Sequence, residues 1–192
     1  VQSDIAKKIA SAMETEISGD VERRIDKRPT ENISSWEDYL KGIEFNDRSN
    51  RIDDLNKAQY FFDKAFQNDP KFAAALARSA FIDLLLYWYG FDFSQSRINN
   101  AKSKIDQASL IDNDDPQVLR ATGTYYYYGY RDYPNALKYL NKALELEPGN
   151  SAHTKSIGYI LRRQGKIEQS IANHKRAMEL EPNDPGLFFQ IS

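Results

Sequence analysis

The chain of 192 residues contains no cysteine. Disulfides, thiolate nucleophiles and cysteine zinc sites are thereby excluded, and a reducing or an oxidising compartment is equally open. Histidine occurs only twice, as His153 and His174, in no two-histidine ligand motif, so the sequence implies no metal and no cofactor. A surplus of one charge is missing as well. The 26 Lys+Arg face 28 Asp+Glu, a formal net charge of -2, which offers no global basic field for nucleic acid and no acidic tail. Nor does any apolar run reach the roughly 18 residues of a membrane span. The longest candidate, residues 80–93, is interrupted by Asp83, Gly90 and Asp92. These absences predict a fragment that neither binds nucleic acid nor inserts into a membrane, located in cytoplasm or periplasm. The chain opens on Val1 with no charged-then-apolar leader and reads as a piece of a longer protein.

What is present is a pattern repeated along the chain. "NALKYLNKALELEPGN" (135–150) and "QSIANHKRAMELEPND" (169–184) align without a gap, which places Ala136 and Ser170, Leu140 and His174, Ala143 and Ala177, and Pro148 and Pro182 each 34 apart. Upstream, Ala58, Phe62, Ala65 and Pro70 repeat the pattern, as do Ala101, Ile105 and Ala108, with Asn113 where the proline would stand. Small, large four on and small three further on is one face of a helix. The proline prevents its continuation. A second helix precedes each copy, marked by Leu119, Gly123 and Tyr126 in one case and by Ile157, Gly158 and Leu161 in another. A small residue there lets two helices approach closely.

This arrangement resembles the tetratricopeptide repeat, through Gly123, Tyr126, Ala136, Leu140, Ala143 and Pro148, and through Ile157, Gly158, Ala177 and Pro182. The resemblance implies an all-α fold, a right-handed superhelix of helix hairpins. The spacing predicts hairpins over about 34–67, 71–111, 116–147 and 150–180, with helices at 34–46, 52–67, 71–89, 95–111, 116–129, 133–147, 150–164 and 167–180, and the start of a fifth hairpin at 185–192. There Leu187, Phe188, Phe189 and Ile191 would pack on the hairpin before and meet a helix beyond Ser192. Residues 1–33 form a lead-in: Ile5, Ile9, Ala12, Met13 and Ile17 at helical spacing predict an amphipathic helix ended near Gly19, followed by a basic connector around Pro29. "VQSDIAKKIASAM", "KRPTEN", "WEDYLKG" and "AQYFFDKAFQNDPKFAAALA" together resemble the C-terminal repeat region of bacterial multidomain regulators. These are cyclases, winged-helix transcription activators and some kinases, in which a TolB-like domain precedes the repeats.

Material for catalysis is thin, and the chain is read as non-enzymatic. His174 takes the large-residue place of a repeat and His153 begins a helix. "DNDDP" (112–116) opens like a calcium loop but lacks its glycine and distal glutamate, so Asp115 before Pro116 is read as a helix cap, as is Asp184 before Pro185. Arg23, Arg24, Lys27 and Arg28 are interrupted by Glu22 and Asp26 and read as a solvated connector. The run "FIDLLLYWYGFDF" (81–93) reads as a long first helix with a buried end.

In such repeats the first helices line a concave groove, and the resemblance therefore implies its candidate residues. These are Gln117, Arg120, Thr124, Tyr127 and Tyr128 in the third hairpin, Lys155, Tyr159, Arg162 and Arg163 in the fourth, and Phe81, Leu84 and Leu85 in the second. Arginine, lysine and tyrosine suit a peptide carrying carboxylates and apolar side chains. The carboxylate clamp of chaperone-binding repeats is reproduced only in Arg120, basic where its lysine would stand: Thr124 replaces its asparagine, and Ala152 and Ser156 stand at its other basic places. Of the tyrosines in "TYYYYGYRDY", a regular helix directs four neighbours four ways. Tyr126 is expected in the hairpin core, Tyr125 on the preceding hairpin, Tyr133 over the turn, and Tyr127 and Tyr128 in the groove. The resulting expectation is a scaffold that binds a protein segment or docks an upstream domain of its own. The alternative is a dimerising element for an upstream cyclase or DNA-binding effector, using helix 1–18 and "LFFQI". Far-ultraviolet circular dichroism of the chain should show helix almost throughout, and a substantial sheet signal would contradict the predicted fold.

Overall fold

The computed structural model describes residues 29–182. The amphipathic helix expected over 1–18, the connector arginines, the Asp184 cap and the fifth hairpin lie outside them. Among the described residues eight α-helices follow one another: α1 (Ile33–Arg48), α2 (Ile52–Asn68), α3 (Ala73–Trp88), α4 (Gln95–Ile111), α5 (Pro116–Thr124), α6 (Tyr133–Leu146), α7 (Ser151–Arg163) and α8 (Ile167–Leu180). No strand occurs among the described residues. Antiparallel pairs α1–α2, α3–α4, α5–α6 and α7–α8 stack in order into an α-solenoid.

Local chemistry explains where several helices begin. The Asn32 side chain accepts from Ser35 N, Ser94 from Arg97 N, Asp132 from Asn135 N and Asn150 from Ala152 N. Asp115 accepts from both Gln117 N and Val118 N, with Pro116 beginning the helix, so it is the predicted cap.

The repeat face is the core. Ala58, Phe62, Ala65, Ala101, Ile105, Ala108, Ala136, Leu140, Ala143, Ser170, His174 and Ala177 are all buried. Opposite them, a Cβ built on Gly123 would lie 2.7 Å from Leu140 Cγ and 3.0 Å from the Ala136 carbonyl, and one on Gly158 would lie 2.7 Å from His174 Cε1. Gly42 shows the same relation to Phe62, at 2.6 Å, which extends the small-residue marker to the first hairpin.

Helix α3 is enclosed on every side, because α2, α4 and α5 all pack against it. Phe81, Leu84 and Leu85 are 8%, 0% and 6% exposed, so they belong to the core and not, as expected, to an open groove. Its one deeply buried carboxylate, Asp83, is matched by Arg97 at 2.7 Å and Lys104 at 2.9 Å from α4, and by Gln59 from α2 at 2.7 Å.

The second departure follows α5. Instead of continuing as α-helix, Tyr125–Gly129 forms a π-helical turn, and Arg131 beyond it has φ 54°. The cause is countable. From the third hairpin to the fourth, Leu140 to His174 is 34 residues (174 − 140) but Gly123 to Gly158 is 35 (158 − 123). The third hairpin therefore carries one more residue between its glycine and its large residue, 17 (140 − 123) against 16 (174 − 158), while both glycines stand 8 residues after their helix caps (123 − 115 and 158 − 150). A wide i→i+5 turn absorbs such an extra residue without breaking the helix.

Gly123→Ala should destabilise the chain by about 1–3 kcal/mol, since the added methyl meets a backbone carbonyl that cannot move aside. Gly149→Ala, where nothing stands within 4 Å of the added atom, should stay within about 0.5 kcal/mol of the parent. Urea unfolding of the two variants checks the contrast.

Candidate functional site

The inner face is formed by first helices α1, α3, α5 and α7, and the π turn decides which tyrosines reach it. Tyr125 and Tyr127 are buried at 9% and 5%, whereas Tyr126 is half-buried and stacks on Tyr139 of α6 at 5.7 Å and 7°. Regular helical steps had placed Tyr126 inside and Tyr127 in the open. The wider turn rotates both away from those directions. Tyr127 packs on Trp88 (5.4 Å) and Tyr133 (6.0 Å). The Tyr125 hydroxyl donates to that of Tyr130 at 3.1 Å. Thr124 is also buried, with its hydroxyl donating to the Arg120 carbonyl. Thr124 is therefore not an open groove residue, whereas Tyr127, though largely buried, still contributes to the wall of a cleft.

The remaining expected residues divide between two places. Tyr128 lies flat on Trp88, with centroids 4.3 Å apart and 14° between planes, and the Arg163 guanidinium lies 5.8 Å from the same indole. Two clefts share these three residues. One, of about 190 Å³, adds Tyr89, Tyr127, Tyr159 and Arg162; the other, of about 510 Å³, adds Tyr87, Phe93, Gly129, Tyr130 and Arg131. Among the described residues no carboxylate lines either. Arg162 also approaches the Tyr159 ring, at 6.0 Å. Burial, with the neighbouring Tyr89 and Tyr127 hydroxyls adding to it, raises the Tyr128 phenol above its ordinary value, so it stays a neutral donor. Arg120 lies deeper, its guanidinium 4.2 Å from the Phe81 ring. Burial and the charge of Arg78 push it down to about 9. Lys155 pairs with Glu181 at 3.4 Å, and Gln117 reaches Glu147 at the same distance, so both serve hairpin contacts.

The sequence reading missed Trp88, Tyr89, Arg78 and Arg131. The signal for Trp88 and Tyr89 was their place at the C-terminal end of a first helix, in the same row as Tyr128 and Arg163, but the surrounding apolar run pointed to uniform burial. Among the described residues no group of three or more His, Asp or Glu side chains converges as a metal site, and no helix is long and apolar enough to cross a membrane.

Residues 156–184 match the family model described as "Tetratricopeptide repeat". Solved structures of similar fold include PilF of Pseudomonas aeruginosa, at 20% identity and TM-score 0.56, over 82% of this chain and 66% of that one. PilW, described as a type IV pilus biogenesis factor, is similar at 22% identity and TM-score 0.57, with the same two coverages. A thermophilic TPR protein of Thermus thermophilus is similar at 14% identity and TM-score 0.53, over 82% of this chain and 96% of that one. The chain thus spans just under two-thirds of PilF and PilW. No curated protein matches the chain. The fold is that of tetratricopeptide solenoids, which serve as protein-interaction scaffolds.

The two histidines set a pH dependence. His153 is buried and its Nε2 donates to Glu147 Oε2 at 2.9 Å. Burial lowers its pKa below 6.5, Glu147 opposes this, and Arg120 and Arg78 reinforce it. Burial likewise lowers His174, opposed by its hydrogen bonding with Ser170 and reinforced by Arg162. Each ring binds fewer protons folded than unfolded. Their contribution to stability is therefore whole above about pH 6.5 and drains as pH falls below it. Glu147, lowered in the fold despite burial by hydrogen bonds from His153 and Asn150, loses its contribution only at more acidic pH, below its unfolded value. His153→Gln with His174→Gln should flatten the fall in unfolding free energy between about pH 6.5 and 5, measured by urea titration across that range.

Proposed function

We propose that this chain is a non-catalytic scaffold whose inner face captures an extended protein segment bearing aromatic or apolar side chains and carboxylates. The observation that carries the reading is the Trp88–Tyr128 stack, flanked by Arg131, Arg162 and Arg163 with no acidic residue among the described residues of either cleft. Flat rings supply contact area at small entropic cost, and guanidinium groups favour carboxylates through paired hydrogen bonds. The segment belongs either to a partner or to a domain upstream in the same polypeptide. The resemblance of "KRPTEN", "WEDYLKG" and "AQYFFDKAFQNDP" to bacterial regulators supports the C-terminal scaffold of a signalling or transcriptional protein as its setting. The dimerising alternative rests on residues 1–20 and 187–191, outside the described part, and no feature of the described hairpins favours it over capture.

Arg163→Glu should weaken capture of acidic, aromatic-containing peptides by tenfold or more. Its melting temperature should move by no more than a few degrees, because an exposed charge contributes little to stability. Lys138→Glu, on the exposed side of α6, should leave capture unchanged. Fluorescence anisotropy against a panel of labelled peptides separates the two, and equal binding by Arg163→Glu and the parent would refute the assignment.

A further inference from the structure

We propose that the outer face of the solenoid carries a second binding site, a socket between α4, α5 and α6 that takes the phenol ring of a tyrosine from a partner protein. The socket lies on the far side of α5 from the groove and is independent of the capture proposed there.

The socket exists because one repeat lacks a side chain that the others have. One place after a buried alanine of the second helix, following Ala65, Ala143 and Ala177, stand Phe66, Leu144 and Met178. After Ala108 stands Ser109. Phe66 packs on the apolar cluster that contains Leu76 and Ala80 of α3, and Leu144 on the one that contains Ile157 and Ile160 of α7. Ser109 is too short to do the same against α5, and a cavity of about 160 Å³ remains. Val118, Thr122 and Tyr125 line it, and at 100° per residue they leave α5 on the side opposite Arg120 and Thr124. The π turn supplies a further wall by laying Tyr126 on Tyr139 of α6, with centroids 5.7 Å apart and 7° between planes.

The lining specifies the occupant. A cavity of about 150 Å³ has room for one benzene-sized ring, and here tyrosine rings stand around a floor that includes Ile105 and Val118. Hydrogen bonding then selects among rings. Ser109 Oγ donates to the Ile105 carbonyl and Thr122 Oγ1 to the Val118 carbonyl, each at 2.8 Å. Each hydroxyl proton is thus committed to its own helix, which leaves the oxygen lone pairs for a ligand. The ammonium in the lining, Lys102 Nζ, bonds to both oxygens of Asp106 at 2.6 Å, so the charges at the mouth are already paired. The complement of such a site is a neutral ring that carries one donor, and a phenol is neutral at pH 7. Leu110 indicates that the ring arrives on a protein. It lies one turn beyond Asp106 on α4 and is 88% exposed, so it offers apolar contact beside the mouth to a residue flanking the tyrosine. A seated aromatic anchor ringed by weaker contacts is the usual centre of a protein interface.

The test titrates the whole chain with three probes, followed by ligand-observed NMR. These are p-cresol, toluene, and a capped peptide with one tyrosine flanked by leucines and no charged residue. Saturable binding of p-cresol is expected, and the peptide should bind about tenfold tighter or better, since it adds contacts around the anchor. Ser109→Leu, which supplies the side chain that the other repeats have, should abolish binding of all three probes and melt no lower than the parent. Thr122→Val combined with Ser109→Ala removes both acceptors. It should weaken p-cresol by about two- to tenfold and leave toluene unchanged, and it covers the case in which the leucine variant fails to fold. Leu110→Ser should bring the peptide down towards p-cresol, and Arg163→Glu should bind p-cresol as the parent does. No saturable binding of p-cresol, undiminished binding by Ser109→Leu, or equal effects on p-cresol and toluene in the acceptor variant would overturn the socket. Loss of p-cresol binding in Arg163→Glu would place the ring in the inner clefts and overturn it as well. A peptide that binds no better than p-cresol would overturn the protein partner and assign the socket to a free phenolic ligand.

Discussion

The close approach of a glycine to one large side chain is the contact on which the rest of the solenoid depends. Gly42 against Phe62, Gly123 against Leu140 and Gly158 against His174 set the separation within three of the four hairpins, each too tight for a methyl group. Once that separation is set, the flanking small residues of the second helix, such as Ala136 and Ala143 or Ser170 and Ala177, lie sealed between neighbouring helices. Ser170 adds direction by donating to the Gly158 carbonyl at 2.8 Å, as Ser35 does to the Ala65 carbonyl at 2.6 Å. Interior packing of this density leaves each hairpin little freedom, so first-helix residues stand in a fixed row on the inner face.

The second hairpin differs from this scheme and stiffens the array. Helix α3 shares one apolar cluster with α1 and α2 and another with α4 and α5. Asp83 ties the same helix to α2 and α4. Its C-terminal end then presents Trp88 to Tyr128, and Arg163 from the next hairpin but one closes over the indole. One rigid helix thus links the buried core to the aromatic row where the segment is proposed to bind.

The π turn connects sequence register to the site. A one-residue difference in spacing between successive glycines turns Tyr127 inward and lays Tyr128 on Trp88, which a regular α-turn would not do. It also leads into the left-handed Arg131, a conformation that L side chains adopt at a cost of roughly 1–2 kcal/mol, at the wall of the larger cleft. Local geometry that departs from the simplest repeat is concentrated where the clefts are.

Much of this was legible without coordinates. The 34-residue recurrence of Ala, Leu or His, and Ala, the glycines opposite them, and Asp115 before Pro116 determined an all-α stack of hairpins, because each rests on spacing along one helix or across one tight contact. The 35-residue interval between Gly123 and Gly158 was visible too, although its consequence was not, since a regular helix was assumed for the tyrosines. What only the tertiary structure decided is which first-helix residues stay open. Thr124, Phe81, Leu84 and Leu85 hold groove positions by counting, but neighbouring helices cover them, and Tyr127 keeps only an edge at the smaller cleft. Arg78, which counting passed over, ends near enough to Arg120 for its charge to lower the Arg120 pKa. Periodicity along a chain specifies the direction in which a side chain leaves its own helix. The packing of other helices, brought together across long separations in sequence, specifies what that side chain then meets.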